Sequence, residues 1–231
     1  MTSAHTARKP TVAPRRRHCT AASIDVDGRV VLAPSLIGGV QVAGADVEGR
    51  YAAETADISR LHVDGPDVTL DASGRLALGR AQTSDLKYRI NAGDLTELGR
   101  IIDRRGLDGT LALDGTVTGN AASLETAGTL SGHALAYGEL AVLDLDSTYA
   151  VAVADFDFVN ARVQATSAAT FLVVGGVELN QLKATTTYAQ KRMEFEATVQ
   201  QQTRELGVTG NAIFHPDHQE LHLPALSLRA D

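Results

Sequence analysis

Two hundred and thirty-one residues suffice for one domain of ordinary size, or for a slab of something larger. At 44% hydrophobic and 21% charged, the chain lies near globular averages, which excludes wholesale disorder. The net charge of −7 combines a +5 head (Arg8, Lys9, Arg15, Arg16 and Arg17, with no acid) with −12 over residues 19–231, and so acidic a body argues against a nucleic-acid surface.

The chain opens with a head, residues 1–20, that reads as a disordered, solvated basic leader. A nuclear or nucleic-acid tag is the other reading of its charge. It is not a secretory signal, because no apolar segment of about 7 to 15 residues follows the charges. Cys19 is the single cysteine, which excludes an intrachain disulfide and any multi-thiolate metal site. No apolar run approaches the roughly 18 residues that cross a bilayer as a helix. The longest, from Ala168 to Val177, is interrupted by Thr170 and two glycines.

From residue 21 the chain changes character. Short segments rich in Val, Leu, Thr, Tyr and Phe alternate with Gly, Asp and Asn, which is a strand signal. Apolar parity recurs at Leu61 and Val63, at Val68 and Leu70, at Leu76 and Leu78, and at Leu86, Tyr88 and Ile90. The dipeptides Asp27-Gly28, Asp64-Gly65 and Asp108-Gly109 predict tight reversals. Asp114-Gly115 predicts either a turn or a bulge within one strand from Thr110 to Thr118. One helix is predicted over 94–105. Asp94 caps it, Glu97 reaches back, and Leu95, Leu98, Ile101 and Ile102 form the apolar stripe. Arg100, Arg104 and Arg105 then suit its C-terminal end, and Gly106 its left-handed cap.

Beyond the helix the alternation continues. Leu111, Leu113 and Val117 share a parity, as do Leu143, Leu145, Tyr149, Val151 and Val153. Met193 to Gln200 alternates apolar and polar through all eight residues. Strands at this spacing, without intervening helical patterns, predict an all-β antiparallel meander with one dry and one wet face.

Catalytic signatures are missing. There is no phosphate-binding loop, no G-x-S-x-G elbow and no H-E-x-x-H, and Cys19 has no evident partner, so an enzyme is not predicted. His215, His218 and His222, with Asp217 and Glu220, form a candidate zinc set. The competing reading is a hairpin turned at Pro216-Asp217, with His222 on the outgoing strand. Asp144 with Asp146, and Asp155 with Asp157, are spaced by two in strand-like runs, which points to a solvated face and not to a calcium site. No cofactor is predicted.

The apolar parity remains to be explained. Ordinary core is the plain reading, yet aromatics are scarce and nothing announces a second layer. An uncovered aliphatic face needs an apolar partner, and acyl chains are one. At about 0.8 kcal/mol per buried methylene, a 16-carbon tail gains at most roughly 12 kcal/mol. The predicted lining is Leu111, Leu113, Val117, Leu143, Leu145, Tyr149, Val151, Val153, Phe171, Val173, Met193, Phe195 and Val199.

Two phrases resemble those of the TamB and AsmA-like family: Gly109-Thr110-Leu111-Ala112-Leu113-Asp114-Gly115-Thr116-Val117-Thr118-Gly119-Asn120, and Gly128-Thr129-Leu130-Ser131-Gly132 followed by Leu135-Ala136-Tyr137-Gly138. Leu86 to Gly99 and the turn from His215 to Leu223 fit the same pattern, which covers about residues 45–231. The resemblance implies an elongated sheet curled into an open U-shaped groove, in large envelope proteins anchored in the inner membrane and extending through the periplasm. It further implies phospholipid transfer between the membranes, or assistance to outer-membrane protein assembly or secretion through a TamA-type barrel partner. On this reading residues 21–231 are a segment truncated at both ends, with residues 1–20 a leader foreign to the native protein. The family offers no catalytic residues. A purely structural β-solenoid is the remaining rival, and no strict repeat of about 20 to 30 residues supports it.

Overall fold

The computed structural model describes residues 25–37, 40–96, 99, 106–215 and 220–230. The described residues form fifteen strands. The first four are β1 (Asp25–Leu32), β2 (Ser35–Ile37), β3 (Val40–Val42) and β4 (Gly44–Ala52). They are followed by β5 (Thr55–Asp64), β6 (Val68–Ala77), β7 (Ser84–Ala92), β8 (Leu107–Asn120), β9 (Ser123–Tyr137) and β10 (Leu140–Val153). The last five are β11 (Arg162–Val174), β12 (Val177–Ala189), β13 (Arg192–Gln201), β14 (Arg204–His215) and β15 (Glu220–Ala230).

Thirteen of them make one antiparallel sheet in the order β1-β4-β5 and onward to β15, while among the described residues β2 and β3 pair only with each other. The predicted all-β meander is therefore the observed fold. The two edges, β1 and β15, do not meet, so the sheet is open and not a barrel. Antiparallel neighbours that follow chain order differ from a solenoid, whose coils stack parallel strands.

Several local expectations change. Asp64-Gly65 does turn, with Gly65 N donating to Val68 O at 2.8 Å. Asp27-Gly28 instead lies inside β1, where Gly28 pairs with Gly49. Asp108-Gly109 lies at a register shift in β8, with Gly109 at φ +110°. Asp114-Gly115 is neither turn nor bulge, because Gly115 pairs regularly with Tyr88 and Gly128. Of the predicted helix, Leu95, Thr96 and Gly99 are helical and Leu95 is buried. Asp94 caps as expected, its Oδ1 accepting from Thr96 N at 2.8 Å. Glu97 and the remaining helix positions lie outside the described residues. Asp155 and Asp157 sit in the β10–β11 connection, not in a strand. Asp155 is at φ +50° and ion-pairs with Arg80, and Asp157 caps the 3-10 turn Phe158–Asn160.

One rim is knitted by its turns. Leu78 N donates to Glu54 O (2.8 Å), Ala121 N to Gly79 O (3.2 Å) and Asp155 N to Ala122 O (3.3 Å). These bonds link connections that the strand order alone would leave independent. Among the described residues no large side chain falls below 2% exposure. Seven of the twelve buried hydrophobic residues are alanine, and among the described residues no second layer of strands covers the sheet.

Candidate functional site: an uncharged sheet face

Residues paired across an antiparallel ladder point to the same side, and successive residues of a strand to opposite sides. The registers therefore sort the sheet into two faces. Five consecutive rows on one face run through Leu145, Ser147, Tyr149, Val151 and Val153. The row through Tyr149 reads Val30, Val47, Leu61, Ala72, Tyr88, Gly115, Gly128, Tyr149, Ala165, Thr186, Phe195 and Gly210 from β1 to β14. The row through Leu145 reads Ala92, Leu111, Gly132, Leu145, Ala169, Leu182, Val199 and Leu206. None of the five rows contains Asp, Glu, Lys or Arg.

The opposite face carries the charge, and there the signs alternate across strands. Arg50 meets Asp25 (2.7 Å), Arg29 meets Asp46 (2.6 Å), Arg75 meets Asp57 (2.8 Å) and Arg89 meets Asp114 (2.5 Å). His133 Nδ1 lies 2.8 Å from Asp144. Hydrogen bonding to Arg50 and Arg29 holds the Asp25 and Asp46 carboxyls below the ordinary range, while burial opposes it slightly. Asp144 and Asp146 fall on this wet face, as expected from their spacing.

The uncharged face is not featureless. Tyr88 on β7 and Tyr149 on β10 reach toward each other across β8 and β9, and their hydroxyls meet at 2.6 Å. Thr126 joins the pair at 2.7 Å from the Tyr88 hydroxyl. The two residues beneath them are glycines. A Cβ on Gly115 would lie 2.6 Å from both phenol groups, and one on Gly128 would overlap the Asp114 carbonyl and lie 2.6 Å from the Tyr149 hydroxyl. Phe195 lies over Gly210 in the same way, at 2.7 Å from a built Cβ. Burial and then the Tyr88 hydrogen bond push the Tyr149 phenol well above its ordinary value of 10.0. Ser147 and Ser167 share a further hydroxyl contact at 2.9 Å.

Ten of the thirteen predicted lining residues lie on this face: Leu111, Leu113, Val117, Leu145, Tyr149, Val151, Val153, Met193, Phe195 and Val199. Leu143, Phe171 and Val173 do not, and the reason is a crease. Ala134 and Phe171 adopt left-handed backbone, φ +51° and +49°, beside Gly109 at +110°. Across it the inward parity steps by three and not by two, from Gly132 to Leu135, Leu145 to Val142, Ala169 to Leu172 and Leu182 to Leu179. Leu135, Val142, Leu172 and Leu179 form one paired row. A Cβ on Gly132 would meet the Leu135 side chain at 2.6 Å, which places that row on the uncharged face. Leu172 is 6% exposed, whereas Phe171 is 62% exposed. Leu143, Phe171 and Val173 therefore belong to the opposite face. Sequence reasoning missed Leu172 because a regular period of two cannot anticipate a left-handed residue.

Of the zinc candidates, His218 lies outside the described residues. His215 and His222 belong to the hairpin of β14 and β15, where His215 pairs with Glu220 and Ile213 with His222. Among the described residues no group of three or more His, Cys, Asp or Glu side chains is placed to hold a metal ion. No described helix is long and apolar enough to cross a membrane. Comparison with known proteins finds no protein family, no curated protein and no solved structure that matches this chain.

Proposed function

We propose that this chain is a segment of a bacterial cell-envelope protein whose uncharged face carries phospholipid acyl chains between the inner and outer membranes. The observation that carries the reading is the absence of any Asp, Glu, Lys or Arg from five consecutive rows of a thirteen-stranded open sheet. Large exposed apolar surfaces are costly in water and mark contact sites. A hydrocarbon tail suits such a surface, because it needs continuity and no hydrogen bonds. Headgroups stay in water beyond the sheet, and tails move along the face without any chemical step. The resemblance to TamB and AsmA-like proteins supports the periplasmic setting.

Photo-crosslinking tests the reading. A photoreactive residue at Leu145 of the protein in a bacterial envelope is expected to give phospholipid adducts, and one at Asp146 is not. Adducts at neither position, in folded protein, refute the lipid face and assign Leu145 to a surface covered by protein.

A second reading rests on the edges. Every residue of β1 is exposed, and among the described residues β1 pairs only with β4. Such an edge can receive an unfolded outer-membrane strand by β-augmentation. Protein adducts along β1, in place of lipid adducts at Leu145, favour this assembly role.

A further inference from the structure

The two edges of the sheet are built differently. β15 is guarded. Pro224 lies inside it and has no N–H to offer another strand, and its ladder with β14 shifts register between Asn211 and Ile213. β1 has neither guard. It pairs with β4 without a break from Asp25↔Ala52 to Leu32↔Ala45, contains no proline, and is exposed at all eight residues. Val26 and Val30 are each 57% exposed, and a Cβ built on Gly28 between them would meet nothing within 4 Å. Among the described residues the outer side of β1 is a row of backbone groups with no neighbouring strand.

The sequence of β1 indicates what fits there. Around Gly28 it reads Val26-Asp27-Gly28-Arg29-Val30, the same from either end but for the sign of the charge. Two copies laid antiparallel about a twofold axis through Gly28 set Val26 opposite Val30, Gly28 opposite Gly28 and Asp27 opposite Arg29, the last contact occurring twice. The charges select this register. An axis one residue earlier sets Asp27 against Asp27, one residue later Arg29 against Arg29, and like charges directly opposite are unfavourable. Both groups are able to take the new contact. Asp27 makes no hydrogen bond or ion pair among the described residues. Arg29 uses Nε and Nη2 on Asp46, which leaves Nη1.

Directly opposite residues also point to the same side of a sheet. Val26, Gly28 and Val30 belong to the uncharged face through their pairing with Tyr51, Gly49 and Val47, and Asp27 and Arg29 belong to the charged face. The twofold axis therefore joins uncharged face to uncharged face, and no charge enters the seam on that side.

We infer that β1 pairs with β1 of a second copy of this chain, antiparallel and centred on Gly28, so that two sheets become one of twice the width. A strand of another protein needs no such symmetry in β1, whereas a second copy depends on it. The pairing does not depend on what the uncharged face carries.

Sedimentation of the full chain at rising concentration tests this, and a monomer–dimer equilibrium that weakens with salt is expected, since the two ion pairs are exposed. Asp27→Arg sets arginine against Arg29 twice across the axis and is expected to weaken association roughly tenfold or more. Arg29→Asp is expected to do the same by setting two aspartates together. Mixing the two variants restores opposite charges at both contacts and is expected to recover association, which also shows that each variant has folded. In a Cys19→Ser background, Gly28→Cys is expected to give a covalent dimer on mild oxidation, and Val31→Cys, which faces Asp25, is not. A parent that stays monomeric overturns the inference. So does a dimer indifferent to Asp27→Arg, a mixture that does not recover, or equal crosslinking at positions 28 and 31. Crosslinking of β1 to a foreign protein and not to itself also overturns it, and favours the assembly role. None of these results bears on lipid adducts at Leu145, which lies on β10 and away from the edge.

Discussion

Replacing Gly115 with alanine is expected to destabilise the sheet by about 2–4 kcal/mol. In a strand exposed to nothing in particular, Gly→Ala gains roughly 0.5–1 kcal/mol, because alanine loses less backbone freedom on folding. Here the sign reverses. The added Cβ would sit 2.6 Å from the Tyr149 hydroxyl and from Tyr88 Cζ, so both phenols must lift. Lifting them breaks the 2.6 Å contact between their hydroxyls and the 2.7 Å contact to Thr126, at about 0.5–1.5 kcal/mol each. Overpacking adds a further 1–3 kcal/mol. Urea unfolding followed by circular dichroism reads the difference. With a slope of about 3 kcal/mol per molar, the midpoint is expected to fall by roughly 1 M. A Gly115→Ala protein as stable as its parent, or more stable, would refute the claim that the two tyrosines lie across the glycines.

The same cluster fixes the alkaline limit. Tyr149 holds its proton above the ordinary phenol value of 10.0 in the fold and releases it near that value when unfolded, so stability falls as pH rises past 10. Chemical denaturation at pH 9 and pH 11 is expected to show this loss, and Tyr149→Phe is expected to reduce it. At the acid end the signs oppose. Asp25 and Asp46 are held below 3.8 chiefly by hydrogen bonds to Arg50 and Arg29. Their contribution is present above the unfolded carboxyl value and is lost as pH falls below it through the lowered folded values. Asp46→Asn should therefore flatten the fall in stability between pH 5 and pH 2, as read by thermal melts, and an unchanged acid limb would count against the ladder.

The alternation of the chain reveals the class of fold and most of one face. β13 illustrates why: Met193, Phe195, Ala197 and Val199 each keep the period of two, and burial on one side suffices to fix their direction. What the alternation hides is non-local. Asp114-Gly115 looks like a turn from its immediate neighbours, yet its glycine is required by Tyr88, 27 residues before, and Tyr149, 34 residues after. A glycine on the apolar parity of one strand, with tyrosines on the apolar parity of other strands, is the signal that was there to use. The crease is harder. Ala134 and Phe171 are residues that seldom take positive φ, so nothing local marks them, and the three-residue step appears only once four strands are placed in register.

The crease also decides how the two faces relate. Without it a strict period of two would turn Leu135, Val142, Leu172 and Leu179 to the charged face and bring Glu178 onto the uncharged one. A shift of one residue reverses every side chain beyond it, so two left-handed residues beside Gly109 keep the row of Leu135, Val142, Leu172 and Leu179 on the uncharged face. The cost of that arrangement is local strain at Ala134 and Phe171, at roughly 1 kcal/mol or more each. What it brings in return is the burial of Leu172, 6% exposed, while Phe171 itself ends up 62% exposed. A sheet selected only to be stable would place glycine at that position.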